Sequence, residues 1–149
     1  MDTLKAYKKL EKIPFGKAIA SFLVCMRIPY FFSIKPRIIE INEGGTIVEM
    51  KERRRVHNHL KTIHAIALCN LCELSMALTT EVTIPKNLRF IPSGMTVSYK
   101  KKAKGTMRAI SQANKNDFKV GNVDINIDVF DEKNINVMSA TITLNIKEK

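Results

Sequence analysis

The chain contains no tryptophan and, in 149 residues, only three cysteines, five prolines and six glycines. So little Gly and Pro excludes collagen-like and low-complexity chains. An odd cysteine count, with Cys69 and Cys72 inside one helical stretch, gives no disulfide scaffold, and a reducing cytoplasm is the expected setting. Cys69 and Cys72 form a C-x-x-C, but inside a helix rather than at its start, and no second pair completes a zinc site. Core thiols are therefore expected, and no metal centre. Long apolar runs are missing too. The longest, near residues 18–26, falls well short of the ~20 residues that span a bilayer. Lys17 and Arg27 bracket it and no small-x-small cleavage site follows, so no signal peptide is expected. Acidic residues are few: 14 Asp and Glu stand against 25 Lys and Arg, a net charge of +11.

That charge is uneven. Residues 51–110 hold twelve Lys/Arg and three acids (Glu52, Glu73, Glu81), whereas residues 111–149 hold five and six. A basic middle implies an anionic partner, such as phosphates, nucleic acid or an acidic membrane, or else a solvated basic face. The run RRRVHNHLK has few aromatics near it and no helix-turn-helix, RNP-like or zinc-finger pattern, so no nucleic-acid partner is expected. The remaining composition, 45% hydrophobic and 26% charged, is that of one globular domain with a proper core.

Residues 2–12 and 16–27 read as helices separated at Pro14. The segments 37–42 and 46–52 read as a hairpin around EGG, with Gly-Gly supplying positive φ. Further strands are expected at 95–104, where Met95, Val97 and Tyr99 alternate with polar residues, and at 106–114. Strand 122–130 alternates Val123, Ile125, Ile127 and Val129 with Asp124, Asn126 and Asp128. After the turn DEKN, Met138, Ala140, Ile142, Leu144 and Ile146 share one face. Period-two alternation means antiparallel strands with one wet side. The dry side needs a cover, and the apolar helix at about 63–78 provides it. The result is an α+β domain in which a curved antiparallel sheet wraps a central helix. Phe22, Tyr30, Phe31 and Phe32 near Lys17 and Arg27 allow an interfacial contact, but packing on the sheet is expected ahead of a membrane contact.

The stretch 58–78, NHLKTIHAIALCNLCELSMAL, sets a chemical question. Glu73 sits in the middle of an apolar helix, where an ionised carboxylate is costly unless paired and its pKa tends upward. From His64 to Glu73 is nine helical steps, about 180° around and roughly 13 Å along the axis. On one helix the two cannot meet, whereas two antiparallel copies would bring the start of one beside the middle of the other, twice. If these residues act together, a two-fold dimer with two equivalent sites follows. The helix start near His64 and Ala65 offers free N–H groups and positive dipole for an oxyanion. Asn58 can hold a carbonyl or a water, and Glu73 can act as general base or nucleophile. Together they suggest hydrolysis of an acyl compound.

The pattern Asn-x5-His-x8-acid (Asn58, His64, Glu73), followed by the buried helix and by Ser98, Tyr99, Ala103 and Gly105, resembles the hotdog-fold acyl-CoA thioesterases of the PaaI-like type. The resemblance points to a bacterial branch classed as a domain of unknown function. It covers residues 37–147 and leaves 1–34 as an N-terminal helical extension of a single hotdog domain spanning 1–149. It implies a homodimer, with dimers often pairing into tetramers, and a site between chains. One chain would give Glu73. The other would give Asn58, His64 and the backbone of Ala65 as oxyanion donor. Ser93 is the candidate second-site hydroxyl, with Thr80 behind it. Arg55, Lys100, Lys102 and Lys104 are candidates for the phosphates of coenzyme A, which enters as part of the substrate, so no separate cofactor is implied. The glycines usual after the histidine are Ala65 and Ile66 here, and Lys61 stands where another is usual. Those replacements favour the alternative, a non-catalytic hotdog protein that binds acyl-CoA or a fatty acyl chain.

Overall fold

The computed structural model describes residues 3–149. Helices α1 (Thr3–Leu10) and α2 (Gly16–Arg27) precede the hairpin β1 (Arg37–Asn42) and β2 (Gly45–Met50). The long helix α3 (Ala65–Thr83) follows, then β3 (Leu88–Tyr99), β4 (Met107–Gln112), β5 (Gly121–Phe130) and β6 (Asn136–Glu148). All six strands form one antiparallel sheet in the order β1-β2-β4-β5-β6-β3, with β1 and β3 at its edges. The inward rows predicted by alternation are buried: Ile125, Ile127 and Val129 on β5, and Met138, Ala140, Ile142, Leu144 and Ile146 on β6. They pack on α3, whose Leu68, Leu71, Cys72, Leu74 and Met76 are equally buried. The wrapped-helix architecture is as expected.

Three boundaries differ from the sequence reading. First, α3 ends at Thr83 rather than near residue 78. Its last turns carry β-branched threonines, poor helix formers in isolation, but tertiary hydrogen bonds override the propensity. Thr79 Oγ1 lies 2.8 Å from Thr46 Oγ1, and Thr83 Oγ1 accepts from Gly44 N–H at 2.9 Å. Second, β3 starts seven residues earlier than expected, at Leu88, and runs through Pro92 and Gly94. A proline is tolerated because β3 is an edge strand, and a bulge at Ser93 absorbs the extra residue: Pro92 pairs with Leu144 and Gly94 with Thr143. The strand also stops at Tyr99 rather than 104. Lys100 and Lys101 N–H both donate to Val137 O, at 2.9 and 3.2 Å, and the chain turns away. Third, only Gly44 of the Gly-Gly turn takes positive φ (87°), because Gly45 already pairs in β2.

The N-terminal extension lies beside α3 against β1. Tyr7 is buried and donates to Ile39 O at 3.1 Å, and its phenol is pushed up to about 12 by burial and by nearby Glu11 and Glu40. Ser21 Oγ donates to Lys17 O and accepts from Ile38 N–H at 2.9 Å. Gly16 leaves no room for a side chain, since a Cβ there would stand 1.6 Å from Leu10 O where α1 meets α2. The expected packing of the four aromatics holds for Phe31 alone; Phe22, Tyr30 and Phe32 are exposed because they sit on the outer side of this extension.

Candidate functional site

His64 is the cap of α3 rather than part of it. Its backbone is extended (φ −66°, ψ 137°) and its Nδ1 accepts from Ile66 N–H at 3.0 Å. One of the four free donors at the helix start is thereby used. Ala65 N–H, the first of the helix, has no acceptor among the described residues. It is the donor left for a developing negative charge, at the positive end of a 19-residue helix.

The loop before His64 is held from within. Asn58 Oδ1 accepts from Leu60 N–H at 2.9 Å and Thr62 N–H at 3.1 Å, and Asn58 Nδ2 donates to Thr62 Oγ1 at 2.9 Å. The Asn58 amide, expected to meet a substrate carbonyl or water, is engaged in an Asx turn that shapes its own loop. Lys61 takes left-handed backbone (φ 57°), which is why a glycine suits that position. Further out, His64 N–H donates to Val56 O at 2.7 Å and Ile63 N–H to Ala103 O at 2.9 Å. Glu52 ties these segments: its carboxylate meets His57 Nε2 at 2.8 Å and accepts from Gly105 N–H. Thr106 N–H donates to Glu132 at 2.8 Å, and the hydrogen bonds from Thr106 hold the Glu132 carboxyl below its usual range. The role of Glu52 was not anticipated, although a lone acid beside RRR was a signal for it.

Glu73 corrects an expectation. It is exposed, not buried among apolar neighbours, and has no hydrogen-bond or ion-pair partner among the described residues. The sheet and the N-terminal extension cover the other sides of α3 and leave an outward stripe, on which Ile66 (56% exposed) lies seven residues, nearly two full turns, before Glu73. Beside this stripe runs the unpaired edge of β3. Its helix-side residues Met95 and Tyr99 are exposed, and the Tyr99 hydroxyl lies 3.4 Å from Cys69 Sγ. That hydrogen bond, then partial burial, pushes the Tyr99 phenol up to about 12, while burial pushes the Cys72 thiol up strongly. All three cysteines are unpaired.

Asn58, His64 and Ala65 are thus brought together at the start of α3. The Ile63–Ala103 bond sets the segments carrying Arg55, Lys102 and Lys104, all exposed, on either side of that start. Glu73 stands roughly 12 Å further along the helix axis. Lys100 lies on the other face of the sheet, donating to Ser139 Oγ at 2.6 Å near Asp128. Ser93 is exposed at the β3 bulge and donates to Thr143 O at 3.2 Å, whereas Thr80 is fully buried with its hydroxyl on Met76 Sδ. Among the described residues no three His, Cys, Asp or Glu side chains cluster closely enough to hold a metal ion.

The family described as Domain of unknown function (DUF4442) matches residues 16–146. No curated protein matches the chain. Among solved structures, genomics target APC5556 is 32% identical with a TM-score of 0.87, covering 99% of each chain. A Pseudomonas aeruginosa protein of unknown function, PA5026, described as a probable thioesterase, is 17% identical with a TM-score of 0.80, covering 92% of this chain and 97% of its own. A Streptococcus mutans protein, smu.793, solved bound to acetyl CoA, is 18% identical with a TM-score of 0.66, covering 75% of this chain and 88% of its own. The fold shared with these structures is the hotdog fold of the PaaI-like thioesterases.

Proposed function

The chain belongs to the DUF4442 family and carries the hotdog fold, and from that premise we propose that it hydrolyses acyl-CoA or a related thioester at a site shared by two copies. The observation that carries this reading is Glu73: a carboxylate without a partner among the described residues, in the middle of the outward stripe of the central helix, beside the β3 edge of the sheet. A second copy set antiparallel along that stripe covers Ile66, Met95 and Tyr99, desolvates Glu73, and carries its own Ala65 N–H toward it. Two chains then form two equivalent sites. In each, Glu73 activates water or attacks the thioester, and the partner's Ala65 N–H receives the oxyanion at the helix N-terminus. His64 positions that N-terminus through its cap, and Asn58 does so through its loop. Arg55, Lys102 and Lys104 take the phosphates of coenzyme A, which is part of the substrate, so the reaction calls for no further cofactor. The acetyl-CoA complex of the Streptococcus mutans structure and the probable-thioesterase description of the Pseudomonas aeruginosa structure support the substrate class. Three unpaired cysteines support a reducing, cytoplasmic setting.

The test is thiol release from a panel of acyl-CoAs, short, long and aromatic, by the wild type and by Glu73→Gln. The variant should keep binding and lose ~100-fold or more in kcat, as expected for removal of a general base. A second reading, a non-catalytic acyl-CoA binder, has an observation of its own: Ile66 N–H and the Asn58 amide are both occupied within the chain. Binding of acyl-CoA without turnover by either protein would establish the second reading and end the first.

A further inference from the structure

The outer side of the N-terminal extension carries an apolar ridge that nothing in the proposed hydrolysis uses. Ile19, Phe22 and Met26 recur at helical spacing on one face of α2, Phe15 stands at its N-cap, and with Leu23 they are 40–84% exposed. Tyr30 and Phe32 continue the ridge, with Phe32 packed edge-to-face on Phe22 at 5.8 Å between ring centres. Contiguous exposed apolar surface on this scale marks a contact site. Phe15 is its most exposed member and takes left-handed backbone (φ 60°), a strained state for a bulky residue. The opposite face of α2 is committed to the fold through Ala20, Ser21 and Cys25.

Charge decides what the ridge meets. Residues 1–37 contain eight Lys/Arg and two acids. Among the described residues Lys9, Lys12, Arg27 and Lys35 are exposed and have no acidic partner, so the extension that bears the ridge carries a cationic fringe of its own. A two-fold contact between copies of this face would set like charges against each other. An anionic bilayer complements both the apolar ridge and its fringe, the combination that holds amphipathic helices in the headgroup region. Behind the ridge lies a mainly apolar cavity of about 250 Å³, walled by Tyr7, Leu74, Leu78 and Phe90. Its exposed lining residues are Leu23, Arg27 and Ile28 at the end of α2 and Glu81 on α3, so it opens between α2 and α3 beside the ridge.

We propose that the α1–α2 extension docks on an anionic membrane surface, with the Phe15–Met26 ridge in the headgroup–acyl boundary. This does not rest on the hydrolase reading. The test is co-sedimentation of the full chain with vesicles of phosphatidylglycerol and phosphatidylcholine in equal parts, and with phosphatidylcholine alone. The wild type should partition onto the anionic vesicles and only weakly onto the neutral ones. Phe15→Ser/Phe22→Ser/Met26→Ser and Lys9→Glu/Lys12→Glu should each bind about tenfold or more weakly, with unchanged circular dichroism. All five residues are exposed, and the only ring contact among them is that of Phe22 with the exposed Phe32, so the buried core is untouched. The proposal is overturned if the wild type stays in the supernatant, binds both vesicle types equally, or sediments no better than the triple serine variant. It is also overturned if the serine variant lowers the oligomer mass by light scattering, which would make the ridge a contact between copies.

Discussion

The N–H of Ala65 can be deleted without moving the helix that carries it. Proline is well suited to the first helical position, and His64 already has the extended backbone that a following proline requires. Ala65→Pro should therefore keep the thermal midpoint while lowering kcat on the best acyl-CoA by about 10²–10³, the loss typical of an oxyanion donor. Lys61 offers the opposite case, a residue whose replacement should help the fold. Its left-handed backbone costs a side-chain-bearing residue about 1 kcal/mol, so Lys61→Gly should raise stability by up to about that amount in denaturant titration. The place of His64 at the start of α3 was legible because the apolar run begins directly after it. Asn58 as a loop staple was not, because its amide and a substrate carbonyl make the same kind of bond. Thr62, four residues on, takes it first.

At the scale of elements, α3 is held to the sheet by hydroxyls as well as by apolar packing. Thr46 Oγ1 donates to Ser75 O at 2.8 Å and lies 2.8 Å from Thr79 Oγ1, all fully or nearly fully buried. Thr46→Val keeps the volume and removes the hydroxyl, leaving the buried Ser75 hydroxyl without its partner and Thr79 with only the longer bond to Ser111 O at 3.5 Å. It should cost about 1–3 kcal/mol of unfolding free energy in urea titration. The same hydroxyls explain why the end of α3 was hidden from the sequence: threonines weaken a helix reading, and the groups that reward them lie on β2, more than thirty residues away. Strands β5 and β6 were legible because one face is wet and the other dry. Strand β3 was misplaced because an edge strand tolerates proline, glycine and a bulge, the residues that ordinarily end a strand.

At the scale of the molecule, the proposed site needs a second copy. Among the described residues the edge of β3 is unpaired, the helix-side residues Met95 and Tyr99 are exposed, and Glu73 stands uncovered, roughly 12 Å along the axis from the Ala65 N–H of its own chain and so out of reach of it. The burial that sequence reasoning assigned to Glu73 is absent from one chain, and in the proposed two-copy site it is the partner that supplies it. The most direct test of that claim uses two damaged chains. Glu73→Gln and Ala65→Pro, each assayed alone for acyl-CoA hydrolysis, should be nearly inactive. Unfolded, mixed in equal amounts and refolded together, half the dimers are mixed, and each mixed dimer has one site with both defects and one with none. The mixture should regain about a quarter of wild-type activity. Activity no greater than that of the two variants measured separately would show that the site does not cross between chains.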